Sequence, residues 1–258
     1  MIAEHRPVWL PDRSIRDLYP LALAEGEGVG TAYEYYAKRL VLGRILRSVG
    51  LPRRILVAGL PEKYGASLDF LLLAAELGAA LLIVDERPEA LDKGRLALQR
   101  AHGAGLLLDV QPDFQVTDVA TLPLGEEVDL ALSCEVLQRL NVGRRGAYVD
   151  RLWALAPAVV LFAPNGDNPA HTRLSGLSGL TLDEMRGLAA WARHVGYVDM
   201  PPFPPGVVRS ESQRESAGEG VLEGLAMWGL GIYARAERFF PRTLRRRQSH
   251  IVYGLGFR

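Results

Sequence analysis

Residues 54–85 read RILVAGLPEKYGASLDFLLLAAELGAALLIVD. Residues 55–58 form a short apolar run that ends at a turn, Gly59-Leu60-Pro61. Residues 66–77 are apolar at nearly every position, broken by Asp69 and Glu76, which suits a helix buried over much of its surface. Gly78 stops that helix, and residues 80–84 are a second apolar run closed by Asp85. Strand, turn, helix and strand with a terminal acid make the opening βαβ unit of a nucleotide-binding α/β sheet. An acid at that point can accept hydrogen bonds from the two hydroxyls of a ribose. The competing reading of Asp85 is a helix cap ahead of Pro88.

The bulk composition narrows the class. A chain of 258 residues holds one large α/β domain with additions or two small ones, and 48% hydrophobic content supports a sizeable core. Thirty basic and thirty acidic residues balance, which argues against a general nucleic-acid binder. One cysteine, Cys134, excludes an intrachain disulfide and a multi-cysteine metal site, and fits a reducing compartment. No metal is expected. The start, MIAEHRPVWLPDR, is charged and broken by prolines, unlike a signal peptide, and the longest apolar run splits into helix and strand. The expectation is a soluble cytoplasmic protein without a membrane span.

Outward from the βαβ unit, residues 1–30 look irregular because Pro7, Pro11 and Pro20 limit helix length, with 14–19 as a short helix. EGEGVG at 25–30 reads as a flexible joint, and Thr31 with Glu34 reads as a capping box opening a helix that stops at Gly50. Residues 1–52 are thus a helical N-terminal extension, and 53–258 the α/β domain. After Asp85, residues 86–101 form a helix with Pro88 in its first turn, and LLLDV at 106–110 either extends it or makes a short strand. Strands follow at 113–117, 128–133 and 158–163, with a short helix at 134–140 and another helix at 142–156. Residues 164–179 read as a long polar loop, 182–195 as a helix capped by Thr181, and 197–200 as a sixth strand. Prolines at 201–205 mark a boundary, 207–220 is loop, 220–240 an amphipathic helix, and 250–257 a last strand. The fold class is α/β: a doubly wound, mostly parallel seven-stranded sheet ending in an antiparallel pair.

Four segments fall in a familiar order: ILVAGLPEKYG at 55–65, LLIVDERPEAL at 81–91, VTDVATLP at 116–123 and VDLALSCEVLQRL at 128–140. Together they resemble the class I S-adenosylmethionine-dependent methyltransferases, over roughly residues 54–164. That family has an acid-x-Gly-x-Gly turn, an acid after strand two, Asp-x-x-x-Leu-Pro after strand three and Phe/Val-Asp-Leu-x-x-Ser-x-x-x-Leu in strand four. The resemblance implies a Rossmann-like fold with S-adenosylmethionine as cofactor. It implies that Asp85, with Glu86 beside it, holds the ribose. Asp118 takes the adenine amine, with the Val119 amide next to it. Gly59 and Pro61 line the cofactor turn, and Ser133 lies at the methionine end. An N-terminal helix often covers the cofactor in this family, so Tyr33 or Tyr36 would touch cofactor or substrate. The chain departs from the pattern at the turn: Val57 stands where an acid is usual, Pro61 and Lys63 replace glycines, and Gly65 is displaced. Glu62 or Glu135 then substitutes for the missing acid, or cofactor affinity falls.

Other candidates are weighed against plainer roles. Asn165, Asn168 and His171 in PNGDNPAHT lie after strand five, at the sheet edge where ligands bind, and His171 and Asn165 are the catalytic candidates. A hydrogen-bonded Asn/Gly loop is the alternative. Asp118 can equally be an Asx-turn acid, and Glu135 a solvated residue near a helix start. Cys134 reads as a buried small side chain. Ser175 and Ser178 lack the Gly-x-Ser-x-Gly setting of a hydrolase, and a nicotinamide dehydrogenase lacks its Gly-x-Gly-x-x-Gly. Six arginines between 235 and 247 face one acid, Glu237. They are a solvated face or a site for a phosphate or acidic partner. Trp228, Phe239 and Phe240 are expected to pack the C-terminal helix or form a subunit contact, so a homodimer is compatible with the sequence. The functional expectation is methyl transfer to a small-molecule acceptor. The alternative is a catalytically inactive methyltransferase-like binding or interaction protein.

Overall fold

The computed structural model describes residues 8–61, 67–123, 127–176, 178–202 and 220–258. Glu62, Lys63 and Gly65 of the altered turn lie outside the described residues, as do 203–205 of the proline cluster and nearly all of the expected 207–220 loop.

The sheet forms from the apolar runs. Its strands are β1 (Arg54–Ala58), β2 (Ala80–Asp85), β3 (Asp113–Val116), β4 (Leu130–Cys134), β5 (Ala158–Pro164), β6 (His194–Val198) and β7 (Ile251–Phe257). They order β3-β2-β1-β4-β5-β7-β6, all parallel except β7, which runs antiparallel to both neighbours. Successive side chains alternate between two cores, as a pleated strand requires. Ile55 and Val57 enter one core, Leu56 and Ala58 the other, and β5 repeats the pattern with Val160 and Phe162 against Val159 and Leu161. Both faces are therefore covered, and the strands read as unbroken apolar runs instead of alternating ones.

Helices α1 (Ile15–Ala24), α2 (Val29–Val49), α3 (Leu68–Leu77) and α4 (Pro88–Gly103) cover the first core. Helices α5 (Val142–Leu155), α6 (Pro169–Ser175) and α7 (Leu182–Leu188) follow β4 and β5, and α5 and α7 cover the second core. Helix α8 (Val221–Ala236) returns to the first core through Met227 and Ala234, and α9 (Arg242–Gln248) leads into β7.

Several sequence expectations are corrected. Helix α1 runs through Pro20, where a short 14–19 helix was expected. A capping box between Ser14 and Asp17 starts it, and burial of Ile15, Leu18, Leu21 and Ala22 outweighs the one lost hydrogen bond. Helix α2 begins after Gly28, so Thr31 lies inside it and caps nothing. Residues 134–140 are not a helix: β4 runs on to Cys134, Glu135 adopts φ +55°, and the chain turns over Gly59. The expected loop at 164–179 contains α6, capped by the Asn168 side chain. Helix α7 stops at Leu188, well short of 195, and β6 starts at His194, three residues before the expected strand. The cause is Trp191, which leaves the helix to stack on Trp153 at 4.4 Å and press against Gly256. The LLLDV stretch is neither helix nor strand, and α9 was not foreseen. Trp228 and Phe239 are 64% and 74% exposed, so they do not pack α8 onto the core; Phe240 does contact Tyr233.

Candidate active site

Asp85 and Asp118 leave neighbouring parallel strands at one rim of the sheet: Asp85 pairs with Val116, and Asp118 lies two residues further on. Between them is a cavity of about 90 Å³ lined by Gly59, Val84, Glu86, Val119, Arg139 and Tyr148, among others. Gly59 has φ +84°, in the left-handed region that favours glycine, and its N–H donates to the Val84 carbonyl at 2.7 Å. That bond extends the parallel β1–β2 ladder by one rung, and the next amide, Leu60 N–H, turns onto Asp85. A side chain at Gly59 would collide with Val136, at 2.6 Å, and with the Arg139 guanidinium, at 2.9 Å.

The Asp85 carboxylate is buried and every lone pair is engaged. Oδ1 accepts from the Arg87 N–H and Nε, both at 2.9 Å. Oδ2 accepts from the Leu60 N–H at 2.8 Å, Arg87 Nη2 at 3.0 Å and Arg139 Nη2 at 3.1 Å. Burial by itself raises the pKa of this carboxyl. The Arg87 and Leu60 hydrogen bonds and the Arg139 charge outweigh burial and hold it below the usual value. Asp118 caps its own turn by accepting from the Ala120 N–H at 3.0 Å, and pairs with Arg144 at 2.9 Å. Asp118 thus makes the Asx-type turn bond and also lines the cavity.

The remaining candidates divide. Glu86 and Val119 line the cavity. Pro61 is buried next to the turn but is not part of the cavity wall. Ser133 points under the turn, where its Oγ shares a 2.8 Å hydrogen bond with Tyr148, whose hydroxyl donates to the Ala58 carbonyl at 2.6 Å. Tyr33 and Tyr36 do not reach the cavity. Tyr33 is fully buried and donates to Glu237, and Tyr36 lies beneath the Arg235 guanidinium. Asn165 is fully buried; its amide donates to the Arg246 and Ser249 carbonyls and accepts from the Asp167 N–H. Its side chain ties the β5 loop to the segment before β7, which leaves no amide proton for a substrate. His171 stacks on His250 with ring centroids 4.1 Å apart, and His250 pairs with Asp199 at 3.2 Å. These histidines sit at the same rim beyond β5, away from the cavity. Among the described residues no group of His, Cys, Asp and Glu is arranged to hold a metal ion.

Sequence reading missed Arg87, Arg139, Arg144 and Tyr148. Arg87 was visible as the second residue after the acid in DERPEAL. Arg139 lies in a segment read as helix, and nothing local points it at an acid 54 positions away.

Beside the cavity, on the α2 side of β4, is a buried charged cluster. Lys38 is fully buried with its Nζ 3.1 Å from Glu34 and 3.1 Å from Asp69, and 3.8 Å from Cys134 Sγ. Burial disfavours its charge, but Asp69, Cys134 and Glu34 more than compensate and hold the ammonium protonated. Glu135, offered as a replacement for the missing acid, is buried next to this cluster, and Glu62 lies outside the described residues.

Glu237 is buried where α8 ends, and accepts from Tyr33 and from the Met200 N–H at 2.8 Å. Burial chiefly raises its pKa, from 4.5 to about 7. A raised carboxyl binds its proton more tightly in the folded chain. Its contribution is therefore complete below about pH 4.5 and is lost as pH rises through about 7. The loss is roughly 3 kcal/mol. Thermal unfolding from pH 5 to 8 should show a fall in midpoint that Glu237→Gln flattens, since glutamine keeps the acceptor without the charge. Equal slopes for both proteins would refute this.

The fold is the Rossmann-like architecture found in solved S-adenosylmethionine-dependent methyltransferases, with seven strands and an antiparallel β7. Two solved structures share it along nearly their whole length. Magnesium protoporphyrin IX methyltransferase (ChlM) from Synechocystis PCC 6803, solved with bound SAH, is 11% identical, with a TM-score of 0.51 and 92% of each chain covered. The plantazolicin methyltransferase BpumL, in complex with SAH, is 15% identical, with a TM-score of 0.50, covering 94% of this chain and 90% of that one. At such identities the likeness establishes the fold. No protein-family model matches the chain, and no curated protein matches it by sequence. No helix among the described residues is long and apolar enough to cross a membrane.

Proposed function

We propose that the chain is an S-adenosylmethionine-dependent methyltransferase acting on a small-molecule acceptor. The observation that carries this reading is the buried carboxylate of Asp85 beside left-handed Gly59, with Asp118 across a cavity on the next strand. Asp85 would hold the ribose hydroxyls, Asp118 the adenine amine with the Val119 amide beside it, and the turn at Gly59 and Pro61 would approach the cofactor by backbone. The cavity is small against the roughly 300–1,000 Å³ of small-molecule sites. Arg139 and Arg144 therefore have to swing outward, and Asp85 has to exchange a guanidinium for the ribose.

When bound, the cofactor supplies an electrophilic methyl group, so the protein's part is positioning and exclusion of water. His171, at the same rim beyond β5, would serve as a base for acceptors that lose a proton. Calorimetry with S-adenosylmethionine and S-adenosylhomocysteine tests the reading, run alongside a methyl-transfer screen. Micromolar binding with turnover supports it; no binding of either at millimolar concentration rejects it. Binding without turnover on any acceptor would favour a binding protein on the same scaffold, a reading to which the two arginines on Asp85 lend weight.

A further inference from the structure

A second concavity lies along the outer strand β6, between α7 and α9, away from the Asp85 rim. It measures about 630 Å³, within the roughly 300–1,000 Å³ of small-molecule sites. Arg186 and Arg193 line it from the α7 side, Arg242 and Arg245 from α9, with His194 and Tyr197 on the strand between. No acidic residue is among its lining residues.

Arg193 stacks on the Phe257 ring at 3.9 Å and donates to the Phe257 carbonyl at 3.2 Å. The charge of the groove therefore comes chiefly from Arg186, Arg242 and Arg245, which repel one another unless something anionic sits among them. The nearby acids do not supply it. Asp183 pairs with Arg186 at 3.2 Å, but it is 86% exposed and such surface pairs contribute little. Asp167 is engaged by Arg246 at 2.7 Å and by the Tyr197 hydroxyl at 2.8 Å. Arg242 has no ion pair among the described residues, and the Arg245 Nε is buried without a hydrogen-bond partner. Two independent signals therefore coincide: an acid-free cavity of ligand size and a buried guanidinium N–H left unmatched. A guanidinium is planar and presents paired N–H donors, which fit phosphate oxygens two at a time.

We propose that this groove is a binding site for a small molecule carrying a diphosphate or two phosphate groups. It uses two arginines of the 235–247 run, Arg242 and Arg245, and it does not depend on the methyltransferase reading. A ligand there would tie α7 to α9 and hence to the β7 end of the sheet.

Isothermal titration with inorganic pyrophosphate at low ionic strength tests it, using the full chain, Arg242→Glu and the double variant Arg242→Ala/Arg245→Ala. The expected result is saturable binding that weakens with salt and falls at least about tenfold in both variants, with unchanged unfolding midpoint for Arg242→Glu. Arg242 is exposed, so that variant remains folded even if the double variant does not. Absence of binding at millimolar pyrophosphate overturns the proposal, as does equal affinity in Arg242→Glu. A single-stranded oligonucleotide bound a hundredfold more tightly through the same arginines would also overturn it, in favour of a nucleic-acid surface.

Discussion

Replacing Lys38 with methionine is expected to lower folding stability by about 3–5 kcal/mol. The side chain is fully buried, and its ammonium is the counter-charge for two buried carboxylates, Glu34 and Asp69, each 3.1 Å away. It also lies 4.9 Å above the Phe70 ring and 5.2 Å from the Tyr35 ring centre, contacts that favour a cation in an apolar setting. Methionine preserves most of the volume, so the loss measures charge and not a cavity. A typical domain has only about 5–15 kcal/mol in total, so the variant should unfold at a markedly lower denaturant concentration. The triple variant that also neutralises Glu34 and Asp69, as glutamine and asparagine, should regain much of the loss, because no unpaired charge then remains inside. Denaturant midpoints at constant slope give both numbers. A single variant within about 1 kcal/mol of the parent would show that water reaches the cluster.

Asp85→Ala is expected to weaken S-adenosylhomocysteine binding about a hundredfold, the value of two hydrogen bonds to a charged acceptor after competition with water. Arg139→Ala should act in the opposite direction. Arg139 occupies Oδ2 of Asp85 at 3.1 Å and fills space against Gly59, so its removal frees an acceptor and enlarges the cavity. Affinity should rise several-fold, while the unfolding midpoint falls slightly from loss of one partner of a carboxylate that Arg87 still neutralises. Opposite signs in calorimetry on the two variants are the signature of a carboxylate that trades a guanidinium for a ribose. Weaker binding in both would mean that Arg139 itself contacts the ligand, and unchanged binding in both would place the ligand elsewhere.

The sheet was legible because its signals are local. Strands β1, β2 and β5 are apolar runs bounded by turn residues, and the acids at 85 and 118 follow their strands directly. Helix bounds were less legible where burial competes with propensity. Pro20 sits inside α1, and Trp191 ends α7 early, both because contacts remote in sequence decide the outcome. Asn165 shows the same limit in the site: an amide after β5 looks available to substrate, yet carbonyls 81 and 84 positions away use both its protons.

Residue order alone therefore determined which strands form, that both sheet faces are buried, and that two acids emerge at one rim, since pleat and turn chemistry act over a few residues. Tertiary structure alone decided what those acids meet. Arg139 reaches Asp85 and Lys38 reaches Asp69 only because folding brings distant segments within Coulomb range, and long flexible side chains carry no local mark of their partner.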